Sequence, residues 1–119
     1  LAGYEVLLAH DGEAGVRLAL EKQPDIVLLD LGLPKLNGLD AAREIRKRFR
    51  GPRPLLIAMS GWGQAEDFRR TAEAGFDKHL VKPVDPRQLL RLMSELLAAR
   101  SASRERSAQS QPMPNSNPE

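Results

Sequence analysis

The run Asp25-Ile26-Val27-Leu28-Leu29-Asp30-Leu31-Gly32-Leu33-Pro34 limits the fold more than any other stretch of the chain. Its apolar residues Ile26 to Leu29, two of them β-branched, read as a strand buried on both faces. Such strands belong to parallel sheets covered by helices, where ligands and chemistry collect outside the carboxyl ends of the strands. The strand ends at a carboxylate, Asp30, and a loop with Gly32, Pro34, Asn37 and Gly38 follows. Asp30 thus stands where a functional group would stand. An aspartate after a strand also simply starts turns, and the local sequence leaves both readings open.

The remaining elements alternate around this strand. Tyr4 to Ala9 form a short strand, Asp11 offers an N-cap, and Val16, Ala19 and Leu20 share one helical face until Pro24 stops the helix. Leu39, Ala42, Ile45 and Phe49 recur at helical spacing, and the basic cluster Arg46 to Arg50 reads as the solvated face of that helix. Gly51 is placed to close it in a left-handed conformation. Leu55 to Met59 make a second apolar strand, which ends in Ser60-Gly61-Trp62-Gly63. A helix from about Gln64 to Ala74 follows, with Phe68 and Ala72 on its apolar side and Gly75 after it. His79-Leu80-Val81 form a third apolar strand, ending at Lys82-Pro83. Asp85, Pro86 and Gln88 open a last helix, whose stripe Leu89, Leu92, Met93, Leu96 and Leu97 is core packing. The β-α alternation predicts an α/β fold, a doubly wound parallel sheet.

Composition then excludes several classes. In 119 residues there is room for one core, taken as residues 1–99, with 100–119 read as a disordered Ser/Pro/Gln/Asn-rich tail. Eighteen basic against sixteen acidic residues, with no basic stripe interleaved with aromatics, give no nucleic-acid signature. The absence of cysteine removes disulfides and thiolate metal sites and suits a cytoplasmic protein. No apolar run approaches the roughly 20 residues that span a bilayer, so no membrane insertion is expected in this segment.

Asp30, Ser60 and Lys82 each follow an apolar strand, and the strands are parallel, so the three side chains are expected to converge on one sheet edge. A carboxylate can attack phosphorus, a hydroxyl can donate to a phosphoryl oxygen, and an ammonium can neutralise the charge that spreads during transfer. Each residue alone has an ordinary explanation: a turn aspartate, a capping serine, a surface lysine. Their recurrence at successive strand ends favours a phosphoryl-handling site.

At these residues the chain resembles the receiver domain of bacterial two-component response regulators. The matching pieces are Asp30-Leu31-Gly32-Leu33-Pro34 with Asn37-Gly38, then Met59-Ser60-Gly61, Ala74-Gly75-Phe76 and Lys82-Pro83-Val84, over about residues 3 to 97. The resemblance implies a flavodoxin-like fold and a phosphorelay in which Asp30 accepts a phosphoryl group from a phosphohistidine. The donor would be a histidine kinase or a histidine phosphotransfer domain. The resemblance makes Ser60 the switch hydroxyl and Lys82 its partner at the phosphate. It makes Asp30 and the Gly32 carbonyl ligands of Mg²⁺, and Pro34, Gly38 and Pro83 structural residues, with Lys82-Pro83 cis. His79 occupies the place of a switch aromatic, where an imidazole would bring pH sensitivity; a plain half-exposed strand residue is the other reading. His10 has no partner visible in sequence and receives no role. Trp62 reads as a partner contact or a lid. The resemblance implies a domain that receives an aspartyl phosphate, and is able to hydrolyse it slowly, rather than a classical enzyme.

The family's first strand, ending in two acids that help hold Mg²⁺, and its first helix have no counterpart here, so the metal site reads as incomplete. That strand lies between those carrying Val6 and Val27, which must close up, leave a seam or borrow a strand. With a first residue other than Met, this suggests a fragment, from a hybrid sensor kinase or a stand-alone receiver. Two rivals remain. A haloacid-dehalogenase-type phosphatase also uses a strand-end aspartate, but needs a second Asp where Gly32 stands. A non-phosphorylated pseudo-receiver would act only as a binding module.

Overall fold

The computed structural model describes residues 3–32 and 35–110. In chain order the elements are β1 (Val6–Ala9), α1 (Gly12–Lys22), β2 (Ile26–Leu31), α2 (Lys35–Arg48), β3 (Leu55–Ser60), α3 (Ala65–Ala74), β4 (Lys78–Val81) and α4 (Pro86–Ser110). All strand pairs are parallel, in the spatial order β1-β2-β3-β4. The strand carrying Val6 closes directly on the strand carrying Val27, with Val6 opposite Ile26 and Ala9 opposite Leu29.

Helices cover both faces of the sheet. Val27, Leu29 and Leu31 alternate with Ile26 and Leu28, so β2 feeds two separate cores. Ala19 of α1, Ala42 and Ile45 of α2 and Ala74 of α3 pack on one face with Leu29 and Leu56. Met93 and Leu97 of α4 pack on the other with Ile26, Leu28 and Ile57. Monotonic strand order with right-handed crossovers sends successive connections to the same side, which leaves α4 alone on the second face. Its cover does not extend across β1, where Val6 stays 37% and Leu8 49% exposed.

Local chemistry sets most element ends. Asp11 caps α1, its Oδ1 accepting the N–H groups of Glu13 at 2.8 Å and Ala14 at 3.3 Å. Gly75 ends α3 in a left-handed conformation, φ 112°, as expected. Gly51 does not do the same for α2, which stops at Arg48; the left-handed cap is Gln23, φ 51°, after α1. Gly51 instead lies close against the Gln23 side chain. Its N–H donates to Gln23 Oε1 at 3.1 Å, and a Cβ there would lie 2.5 Å from that oxygen.

Three further expectations are corrected. The inward residues of α3 are Thr71 and Ala74, while Ala72 is exposed and Phe68 is 40% exposed. Thr71 can turn inward because its hydroxyl donates to the Phe68 carbonyl at 3.0 Å, a compensation that apolar spacing does not register. Arg46 is not part of a solvated face. Its guanidinium donates to the carbonyls of Gly75 (2.9 Å) and Pro54 (2.6 Å) and to Asp77 Oδ2 (2.8 Å), joining α2 to both neighbouring connections. Burial lowers the pKa of Arg46, and the charge of Asp77 opposes that shift. Finally, α4 continues to Ser110, into the stretch expected to lack order from residue 100. Ala98, Ala99, Arg100 and Ala102 favour helix; a shortage of apolar residues excludes a core, not a helix. The remainder of that stretch, 111–119, lies outside the described residues.

Candidate functional site

Asp30 is the penultimate residue of β2, so the strand runs one residue further than its carboxylate suggested. Burial of the strand on both faces fixes its backbone, and the Asp30 side chain, 20% exposed, projects at the carboxyl end of the sheet. Lys82, just past the end of β4, forms an ion pair with Asp30 Oδ1. That oxygen is closed to solvent and, among the described residues, the ammonium alone answers it. The other oxygen, Oδ2, lies 3.1 Å from His10 Nδ1. An ionised carboxylate only accepts, so this contact puts the His10 proton on Nδ1. Asp30 therefore sits between two N–H donors from different strand ends.

This setting holds the Asp30 carboxyl below the ordinary carboxylate range. The Lys82 hydrogen bond is the largest cause; desolvation pushes the other way, and the His10 hydrogen bond and both charges add to the lowering. The result is an ionised, oriented carboxylate beside a cation, a group chemically able to attack phosphorus.

Ser60 is not brought into the same contact. Asp30 is in register with Met59, and Ser60 with Leu31, so alternation directs the Ser60 side chain to the face of α3. There it is fully buried. Its Oγ donates to the Trp62 carbonyl and accepts the Trp62 N–H, both at 3.1 Å, and lies 2.8 Å from His79 Nε2. His79 Nε2 is also 3.1 Å from the Trp62 carbonyl, an acceptor only, so Nε2 carries the proton. Nδ1 of the same ring faces the Thr71 hydroxyl at 3.1 Å, and the Phe68 ring tilts against it with centroids 4.5 Å apart. His79 thus links the Ser60 hydroxyl to α3.

Lys82-Pro83 is a cis peptide. Gly32 follows β2 directly and is exposed. Gly38 is buried in the first part of α2, where a Cβ would come 2.0 Å from Leu31 Cδ2; a side chain there would displace the residue next to Asp30. Pro34 lies outside the described residues. Trp62 is half-buried and packs on the α1–α3 core. His10 is the residue that sequence reasoning passed over. Its signal is register: Ala9 pairs with Leu29, so the residues after them, His10 and Asp30, become neighbours once β1 is known to lie beside β2.

Comparison with known proteins agrees with this geometry. Residues 1–94 match the response regulator receiver domain family. The chain is 35% identical over 97 residues to the DNA-binding dual master transcriptional regulator RpaA of Synechocystis sp., covering 82% of this chain but only 40% of that relative's length. Among solved structures, the receiver domain of sensor histidine kinase PA1611 from Pseudomonas aeruginosa is 29% identical with a TM-score of 0.68, covering 79% of this chain and 97% of that one. Its structure holds a magnesium ion in the active-site cleft. A response regulator from Burkholderia multivorans is 33% identical with a TM-score of 0.64, covering 80% of this chain and 76% of that one. Four parallel strands alternating with four helices, an ionised strand-end aspartate paired with a lysine, and these likenesses lead to one conclusion: the chain belongs to the response regulator receiver domain family of two-component signalling, and has its flavodoxin-like fold.

Proposed function

We propose that this chain is a phosphoacceptor in a two-component phosphorelay, with Asp30 as the residue that takes the phosphoryl group. The ion pair between Lys82 and Asp30 at the carboxyl ends of their strands carries the proposal. An Asp30 oxygen attacks phosphorus, the P–N bond of the donor phosphohistidine breaks, and its electron pair returns to the donor imidazole. Lys82 meets the charge that spreads over the phosphoryl oxygens. Likeness to a receiver from a sensor histidine kinase supports such a kinase, or a histidine phosphotransfer domain, as donor. The DNA binding of RpaA is not carried over, because the match covers 40% of that protein. Among the described residues no helix is long and apolar enough to cross a membrane.

The switch in this reading is the Ser60 hydroxyl. In the structure described it is bonded to His79 and Trp62, away from Asp30. A phosphoryl group on Asp30 would compete with those partners for it, and His79 and Trp62 would carry the change to α3. Receiver domains bind Mg²⁺ at this site, but the donors among the described residues do not fit that ion. Mg²⁺ requires near-octahedral oxygen coordination. Asp30 faces an ammonium and an imidazole, and Asp11, the acid next to His10, is engaged in capping α1. Among the described residues no three histidine, aspartate or glutamate side chains gather as a metal site.

The test is incubation of the chain with acetyl phosphate, with and without Mg²⁺, read by intact mass. Gain of one phosphoryl group that Asp30→Asn abolishes is the expected result. A second reading, a binding module that is not phosphorylated, is favoured by the engagement of both Asp30 oxygens. It predicts no mass gain under either condition. Catalytic turnover of a generic phosphate ester would instead reveal a phosphatase, and Gly32 at the position of the second acid predicts none.

A further inference from the structure

We propose that a proton on His79 fastens Ser60 in the position described, so that the switch is held in mild acid and released as pH rises through the range where histidine titrates. The inference rests on the reading of Ser60 as the switch hydroxyl and adds to it the regulation of that switch. Its basis is a count of hydrogens around one ring. The Trp62 carbonyl, an acceptor only, lies 3.1 Å from His79 Nε2, so Nε2 is protonated. Ser60 Oγ gives its own hydrogen to the same carbonyl and accepts the Trp62 N–H and the His79 Nε2–H. On the other side of the ring, Nδ1 lies 3.1 Å from Thr71 Oγ1, whose hydrogen is directed at the Phe68 carbonyl. A neutral ring leaves that side one hydrogen short, because Thr71 serves either Phe68 or Nδ1 and not both. An imidazolium satisfies all of these contacts, with Nδ1–H donating to Thr71 Oγ1.

Charge also tightens the hold on Ser60. A hydrogen bond from an ionised donor is about twice as strong as a neutral one, and Nε2–H reaches both the Ser60 hydroxyl and the Trp62 carbonyl. His79 is only half-buried, so a charge on its ring is not fully desolvated. The elements packed around the ring bring few charges. β3 and the connection Gly61 to Gln64 carry none. On α3, Asp67 accepts the Gln64 N–H at 3.2 Å, and Arg70 donates to Glu66 at 2.7 Å. Asp77, before β4, is held by Arg46; Lys78 on β4 is exposed, and Lys82 beyond it pairs with Asp30. Proton binding at His79 and release of Ser60 are therefore opposed equilibria. The held state takes up the proton, and a phosphoryl group that draws Ser60 away expels it. Stabilisation of the held state is present at low pH and fades as pH rises.

The experiment follows deuterium uptake of the peptide carrying Trp62, whose N–H donates to Ser60 Oγ. Uptake is measured across the range from about pH 5 to about pH 8, with exchange times corrected for the intrinsic effect of pH. Samples are taken with and without acetyl phosphate and Mg²⁺, and intact mass records phosphoryl gain in each. Variants His79→Phe, His79→Gln and Thr71→Val are first checked for folding by circular dichroism. Without a phosphodonor, the unaltered chain should exchange about 3- to 10-fold more slowly at the acid end. His79→Phe and His79→Gln should show no such difference, although Gln keeps a donor. Thr71→Val removes the acceptor for Nδ1–H in nearly the same volume. It should move the transition about one pH unit lower, which a purely steric role for the ring would not predict. Phosphoryl gain should speed uptake at the upper end of the range and much less at the lower end.

A pH dependence that survives in both His79 variants overturns the inference, as does one abolished by His10→Gln, the chain's other histidine. An unmoved transition in Thr71→Val overturns it too. Phosphoryl gain that speeds uptake equally at both ends overturns it and leaves Asp30 as phosphoacceptor. No phosphoryl gain at any pH overturns the receiver reading and, with it, this regulation.

Discussion

His79 Nε2 lies 2.8 Å from the Ser60 hydroxyl and 3.1 Å from the Trp62 carbonyl, while Nδ1 of the same ring lies 3.1 Å from the Thr71 hydroxyl. One side chain of β4 thus joins the end of β3, the loop after it and α3. Ser60 is fully buried, so its hydroxyl stays satisfied only while it has these partners or equivalent ones. Any conformation that turns Ser60 toward Asp30 must release His79, and this makes the pair the natural point of exchange between the sheet edge and α3.

A double-mutant cycle measures that coupling. Ser60→Ala and His79→Phe should each destabilise the fold, with a coupling energy of about 0.5–1.5 kcal/mol. Urea unfolding of the two single variants and the double variant supplies the values. Strict additivity would mean that the contact carries no energy.

Asp30 should titrate in a way that identifies its main partner. Its folded-state pKa is lowered, first by Lys82. A carboxyl depressed in the folded state contributes stability that is present above its unfolded pKa, about 4. That contribution is lost as pH falls through the lower folded value. The pair is therefore intact at neutral pH and gives way only in acid, below about pH 4. Lys82→Met should move the Asp30 midpoint upward, followed through its carboxyl carbon resonance. An unmoved midpoint would remove Lys82 as the leading cause.

Arg46 should be among the most costly substitutions outside the sheet. Arg46→Ala leaves the carbonyls of Pro54 and Gly75 and the Asp77 carboxylate without their guanidinium. A loss of about 2–4 kcal/mol is expected from removing a buried, hydrogen-bonded charge. Arg46→Lys should recover little, because an ammonium lacks the planar fork that reaches three separated acceptors. Thermal and urea unfolding would check both variants.

Leu8 should tolerate charge. It is 49% exposed on edge strand β1, beyond the cover of α4. Leu8→Lys should change stability by no more than about 0.5 kcal/mol. It should also lower concentration-dependent light scattering, since a lysine on an open apolar edge opposes strand pairing between molecules. Unchanged scattering would show that this edge does not drive association.

The sequence by itself determined the α/β class, the element order and the placement of Asp30 and Lys82 at strand ends. Hydrophobic runs, caps such as Asp11 and the end signal Gly75 are local chemistry, and local chemistry is legible without coordinates. It also singled out Asp30 for test, because Ser60 and Lys82 recur at the corresponding place on later strands. What tertiary structure decided is which of these groups meet. Strand pairing brought His10 to Asp30, since neighbours across a sheet depend on strand order and register rather than on distance along the chain. Side-chain alternation turned Ser60 away from Asp30 and toward His79. Burial made Arg46 a clamp between connections, although its neighbours in sequence are ordinary surface bases. Residue types and spacing therefore pointed to polar groups gathered on one sheet edge, but the contacts that set their charge and their donors arise only when β1, β2, β3 and β4 lie side by side.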